Sequence, residues 1–287
     1  MFEAVSSIDN AIINAEVLHT MRPRARRWFL SWGMIIAVFC VRGFLPWLIV
    51  WAVTPGLGPG RAFMATLSSD PKVVEAIEKS APVLLVGGGV FLLFLFLHWL
   101  FLEAKEYCLP GEEFLVKHGR SFFPIAAIVI AVIVWLSLRH SWMMAVAAVS
   151  GLVVFFVTFT VKHIAEVREK SLLNSHVSDV GKLLYLEVLD ASFSIDGVLG
   201  AFAFTLAVPL ILIGNGLGAF VVRQLTIGNI ERIKRYRYLK NGAMYSIFIL
   251  GLIMVLDGFG VRAPSWVSPI VTFAIVGYFF FRSRQSR

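Results

Sequence analysis

Charge is scarce in this sequence. Only 15% of its 287 residues are charged, against roughly 25% in an ordinary globular chain, while 58% are hydrophobic and 14% aromatic. A water-soluble fold with a solvated surface is excluded. Cysteine is almost missing: Cys40 lies in an apolar run and Cys108 in a charged segment, so neither a disulfide framework nor a thiolate metal site follows. The period-two alternation of a membrane β-barrel is also lacking. Acids are fewer than bases, 18 against 26, for a net charge of +8. The bases gather in short clusters beside apolar runs, which is the pattern of a cytoplasmic membrane face and argues against a nucleic-acid partner. No cleavable leader is expected, because "RPRARR" follows the first apolar run instead of preceding it.

Long apolar runs are what the sequence has in abundance. A segment crossing hydrocarbon satisfies its own backbone hydrogen bonds, so about 20 apolar residues in a helix form the natural unit. Nine runs are expected to do this, over residues 2–19, 28–53, 82–102, 122–138, 142–161, 183–206, 208–227, 242–256 and 266–281. The predicted fold class is all-α, a polytopic helical protein with the lipid bilayer as its solvent. Lys and Arg near the run ends set the orientation. "RPRARR", "KHGR", "VKHIAEVREK", "ERIKRYRYLK" and "RSRQSR" all fall in the cytoplasm if the N-terminus is outside a cell's inner (plasma) membrane and the C-terminus inside. Residues 54–81, mixed in charge with Gly and Pro at their start, are then an outer loop.

The few acids are not scattered at random. Residues 2–15 read "FEAVSSIDNAIINA" and residues 186–202 read "LEVLDASFSIDGVLGAF". In both a glutamate leads and a Ser-Ile-Asp triplet follows, so that Glu3 and Asp9 match Glu187 and Asp196, with Asp190 in addition. Downstream, "AVFCVRGF" resembles "GAFVVRQL", aligning Arg42 with Arg223. This is an internal repeat. Five runs separate the two starts, so the second copy enters the membrane inverted, the design in which ions are held near the midplane between copies. The expected division is a first repeat over 1–103, linking helices and cytoplasmic loops over 104–182, and a second repeat with a final helix over 183–287.

Helix geometry assigns faces. At about 100° per residue, Glu3, Ser7, Asn10 and Asn14 form one stripe, and Glu187, Asp190, Ser194, Gly197, Ala201 and Thr205 another. Asp196 falls opposite Glu187 in an ideal helix, and a break at Asp196-Gly197 is expected to turn it back. A charge at the bilayer centre costs roughly 2.5 kcal/mol or more. Five acids against two arginines leave about three negative charges, which a divalent cation neutralises; oxygen ligands suit magnesium, calcium or manganese. The competing structural reading pairs the acids with Arg42 and Arg223 merely to register helices, but the acids outnumber those bases.

Other features are read blandly. His98 is an interfacial residue, and His163 and His176 belong to a solvated basic loop. Gly87, Gly88 and Gly89 lack the lysine and strand of a phosphate loop, so they serve close helix packing. Asp257 starts a loop. Neither Tyr-Asp nor Gly-x-Gly-Asp, the motifs of intramembrane aspartic proteases, surrounds the aspartates, so no enzyme is expected.

The acidic motifs resemble those of the TerC-like integral membrane proteins, within the lysine-exporter superfamily. That pattern has Glu-x5-Asp-Asn in the first membrane helix, matched by Glu3 through Asn10, and Glu-x2-Asp-x5-Asp in a later one, matched by Glu187, Asp190 and Asp196. The resemblance implies metal-ion transport, most often manganese efflux, with these acids as the metal site; it also embraces metal delivery to exported enzymes and tellurite tolerance. The reading that follows is a secondary transporter of divalent cations, probing no prosthetic group, in which one repeat rocks against the other. Asp9 and Asp196 are direct ligands, with Glu3, Glu187 and Asp190 alongside. Asn10, Asn14 and Ser194 supply neutral oxygens, and Arg42 and Arg223 balance charge in the empty carrier. Protons are the natural counter-ion because crowded carboxylates take them up as metal leaves. A non-transporting metal-binding partner is the alternative, and a homodimer is left open.

Overall fold

The computed structural model describes residues 17–18, 21–33, 36, 42–53, 58–67, 71–174, 178–205, 207–228, 236–264 and 266–285. Glu3, Asp9, Asn10 and Asn14 lie outside them, as does His176. Every regular element among the described residues is helical. Helix α1 (Pro23–Trp28) runs into a π-helical turn (Phe29–Gly33), and α2 (Arg42–Val53), α3 (Pro59–Leu67) and α4 (Pro71–Leu102) follow. Next come α5 (Glu112–Lys117), α6 (Phe122–His140), α7 (Trp142–Asn174) and α8 (Asp179–Ala201). Helices α9 (Val208–Gly228), α10 (Leu239–Gly258) and α11 (Val267–Gln285) complete the order.

Four stretches among the described residues are long and apolar enough to cross a membrane: Lys79–Leu102, Gly119–His140, Trp142–Val161 and Leu239–Gly258, with a shorter apolar stretch at Val208–Val221. The chain is in this sense a helical membrane protein. The outer loop expected over 54–81 is corrected: residues 59–67 and 71–81 are helical. Pro59 and Pro71 open α3 and α4, where a missing N–H costs nothing because the first helical N–H groups have no intrahelical partner anyway. The run 28–53 is not one regular α-helix, since the π turn follows directly on α1. The charged stretch after Val161, read as a loop that includes His163, continues α7 to Asn174. Its Ala, Glu, Lys, Arg and Leu residues are good helix formers.

The core forms where α4 meets α7 and α10. Phe91, Phe94, Trp99, Phe155, Ile247 and Met254 are all buried there, and Phe155 meets Phe91 and Phe94 with ring centroids 6.5 and 6.0 Å apart. Backbone approach sets this geometry. A Cβ on Gly151 of α7 would run into the Gly87 carbonyl oxygen of α4, and one on Gly89 would lie 2.8 Å from the Gly251 oxygen of α10. The bland reading of Gly87–Gly89 holds: small residues let helices touch without a hydrophobic driving force, as lipid-bathed helices require. Helix α10 ends at a turn in which Gly260 takes φ +89°, Val261 N–H donates to Leu256 O at 3.0 Å, and Asp257 Oδ1 accepts from Ala263 N–H at 2.7 Å. Asp257 is thus a loop-starting cap, as read. Near the end of α4 the His98 ring packs against Phe122, Phe155 and Phe159, with its Nδ1 3.8 Å from Glu103.

Gly151→Ala is expected to force α4 and α7 apart and cost about 1–3 kcal/mol, the scale of overpacking. Gly214→Ala and Gly277→Ala, whose added Cβ meets nothing within 4 Å, leave the thermal midpoint of the detergent-solubilised protein unchanged.

Candidate functional site

The acid-bearing helix α8 starts on a conventional cap. Ser178 Oγ accepts from Gly181 N–H at 3.3 Å, and Asp179 in the first turn favours the positive end of the helix dipole. Arg22 reaches Asp179 at 3.7 Å, tying the start of α1 to this end. Leu186 then enters a small buried cluster with Val17, Leu18, Met21 and Phe29. Residues just after Asn14 and just before Glu187 therefore share one apolar contact.

Glu187 follows directly. Both its carboxylate oxygens are shielded from solvent, and Oε1 lies against Gly33 so closely that a Cβ at Gly33 has no room. Gly33 belongs to the π-helical turn, an irregularity that is rare and frequently found at functional sites. Nothing in the sequence beyond a glycine within an apolar run signals it.

The break expected at Asp196-Gly197 is absent, and α8 is continuous from Asp179 to Ala201. Residues 197–200 are buried, and a buried helix that broke there would orphan its N–H and C=O groups. Asp196 therefore holds a register position about 180° from Glu187 and roughly 13.5 Å further along the axis. Asp190 lies within about 60° of Glu187 by the same geometry. The side chains of Asp190, Ser194 and Asp196 lie outside the described ones, as do those of Arg42, the first residue of α2, and Arg223 in α9. Their helices are brought together: α2, α8 and α9 each pack on the other two. Among the described residues no group of three His, Cys, Asp or Glu side chains is placed to hold a metal.

A second polar constellation, missed by the sequence reading, lies beyond the end of α4. Glu112 is only 2% exposed, and its carboxylate accepts from Cys108 N–H at 2.7 Å and from Tyr245 O–H at 2.8 Å. Lys105 donates to Trp99 O at 3.1 Å and Leu100 O at 2.7 Å, capping α4, and lies 3.8 Å over the Trp99 ring. Burial lowers the Lys105 pKa to about 8 although the Glu112 and Glu103 carboxylates oppose it; Lys240 adds to the lowering. Burial also pushes the Cys108 thiol up, aided by Glu112 and opposed by Arg282. Lys240 donates to Glu103 at 2.9 Å and Asn241 to Glu106 O at 2.9 Å. These contacts pin the segment after α4 to the start of α10. The available signal was "EYCLPGEE", a Pro-Gly turn followed by two acids at a helix start, where Gly111 adopts φ +97°.

A family model described as "Protein of unknown function (DUF475)" matches residues 8–286. No curated protein and no solved structure matches the chain.

Tyr245→Phe removes a donor from a buried carboxylate and is expected to cost about 1–3 kcal/mol in thermal unfolding. Amine acylation as a function of pH is expected to place half-maximal reactivity of Lys105 near pH 8, while Lys117, raised by its hydrogen bond to Glu113, needs a higher pH than an ordinary lysine. Lys105 titrating with the exposed lysines contradicts this placement. The folded chain releases the Lys105 proton near pH 8 and the unfolded chain keeps it to about 10.5. The site's contribution to stability is therefore least below pH 8 and grows toward pH 10.5.

Proposed function

Because the chain belongs to the DUF475 family of proteins of unknown function, we propose its activity from its own residues: a secondary transporter that exports divalent cations, manganese foremost, in exchange for protons. The observation that supports this reading is the contact of residues that follow the first acidic motif with those that open the second, where Val17, Leu18 and Met21 bury Leu186 and Glu187 turns shielded carboxylate oxygens toward Gly33. The mutual packing of α2, α8 and α9 adds support, since these helices carry Arg42, the later acids and Arg223. The resemblance of both acidic motifs to those of TerC-like proteins points the same way.

A straight α8 shapes the mechanism. Oxygen ligands sit about 2.0–2.6 Å from a hard divalent ion, so Glu187 and Asp196, roughly 13.5 Å apart along the axis, serve different stations. In the proposed cycle Asp9 and Asp196 hold the cation, with Asn10, Asn14 and Ser194 as neutral donors. Glu187 and Asp190 form a second station on the path, and Glu3, on the far side of Asp9 from Val17, is an outer ligand near the first station. When the cation leaves, protons and the guanidinium groups of Arg42 and Arg223 neutralise the acids, because uncompensated charge is costly in a dry interior.

Reconstituted vesicles test this directly. Manganese uptake driven by a pH gradient is expected from the unaltered chain and is expected to fall at least tenfold in Asp196→Asn with an unchanged thermal midpoint. Absence of flux under both a pH gradient and a voltage, with manganese binding retained in detergent, defeats transport and leaves a metal-binding membrane partner. Loss of both eliminates a metal role altogether.

A further inference from the structure

A groove of about 520 Å³ runs between α2, α4, α7 and α8, within the roughly 300–1,000 Å³ range of small-molecule sites. Its walls include Leu45 and Ile49 of α2, Gly87 of α4, Val146 of α7, and Val198 and Leu199 of α8. Among the described residues that line it there is no charged side chain, and Ser150 supplies the only side-chain hydroxyl. Water needs two to four polar partners to settle in such a space, and this lining does not provide them.

The groove is not sealed. Trp142 and Val146 line it, yet they are 69% and 53% exposed. They continue onto the outward apolar face of α7, where Val149, Val153 and Val157 are exposed as well. This face belongs to Trp142–Val161, a stretch apolar enough to cross a membrane. The medium that meets the open side is therefore lipid tail. Left vacant, the partly buried wall at Leu45, Ile49 and Ile195 would forfeit dispersion contacts along its length. An aromatic residue at the mouth suits the level where chains meet headgroups.

We propose that this groove is a binding site for one acyl chain of a bilayer lipid, entering beside Trp142 and lying between α8 and the packed pair α4 and α7. Recognition is of the tail, so headgroup identity matters little. This inference needs only the membrane reading and stands whether or not the protein carries cations.

The test uses the full chain in nanodiscs containing phosphatidylcholine with a diazirine at the middle of one tail. Irradiation and peptide mapping are expected to label residues 195–199, whose members Ile195, Val198 and Leu199 line the groove, in addition to the outward face of α7. Labelling confined to the outward face of α7, at Val149 and Val153, overturns the proposal. Ile49→Trp and Ser150→Phe, made separately, fill the groove and are expected to reduce labelling at 195–199 at least fivefold while the outward-face signal stays constant. Undiminished labelling in both variants overturns it too. So does a protein–protein crosslink through 195–199 in place of the lipid adduct, which would give the groove to a second copy. Phosphatidylglycerol carrying the same tail is expected to label equally, and labelling by only one of the two headgroups speaks against tail recognition.

Discussion

Direct backbone contact between helices is the constraint on which the rest of this structure depends. In lipid the hydrophobic effect does not press one apolar helix against another, so association rests on packing and on hydrogen bonds. Here Gly87 meets Gly151, and Gly89 meets Gly251, with no side chain between. Those two approaches bring α7 and α10 onto opposite parts of α4 and leave the large rings of Phe91, Phe94, Trp99 and Phe155 to fill what remains. Replacing any of these contacts by bulk moves a whole helix, because helices are displaced as units and do not deform locally.

Around that core the polar groups divide into two kinds. The group beyond the end of α4 is closed on itself: Glu112 receives two donors, Lys105 caps α4, and Lys240 and Asn241 reach back to Glu103 and Glu106. Such an arrangement fastens the end of α4 to α10. The acids of α8 sit differently. They belong to a helix that packs on α7, α2, α4 and α9 and touches α10, and that borders an apolar groove. One part of the molecule is thus fixed by glycine contacts and a satisfied polar network, and the other rests against it across a greasy seam.

How much of this was legible in the sequence depended on what each residue pattern reports. Apolarity reports contact with lipid or core, so the runs 122–138 and 142–161 return as α6 and the first part of α7, and the triple glycine was correctly read as packing. Apolarity does not report where a helix stops. The charged residues after Val161 and the proline-led segments before Pro82 are helical, because Lys, Glu and Arg favour helix and proline at a first turn does not oppose it. The same limit hid the continuity of α8: Gly197 permits a break, but its buried neighbours forbid one. The acidic motifs were legible as a pattern, and of their residues Glu187 is described, next to Leu186 in the cluster with Val17, Leu18 and Met21. The Gly33 contact and the Glu112 network were not, since each joins residues far apart in the chain with no periodicity to connect them.

The lengths of α4 and α7 carry a consequence of their own. At about 1.5 Å per residue, the 33 residues of α7 reach roughly 50 Å, against a hydrocarbon thickness of about 30 Å. Helix α4, with 32 residues, is nearly as tall. Gly87 lies level with Gly151 and the two helices run parallel, so α4 overshoots at its beginning and α7 at its end. The surplus turns of the two helices therefore leave the pair at opposite ends, with the glycine crossing between them.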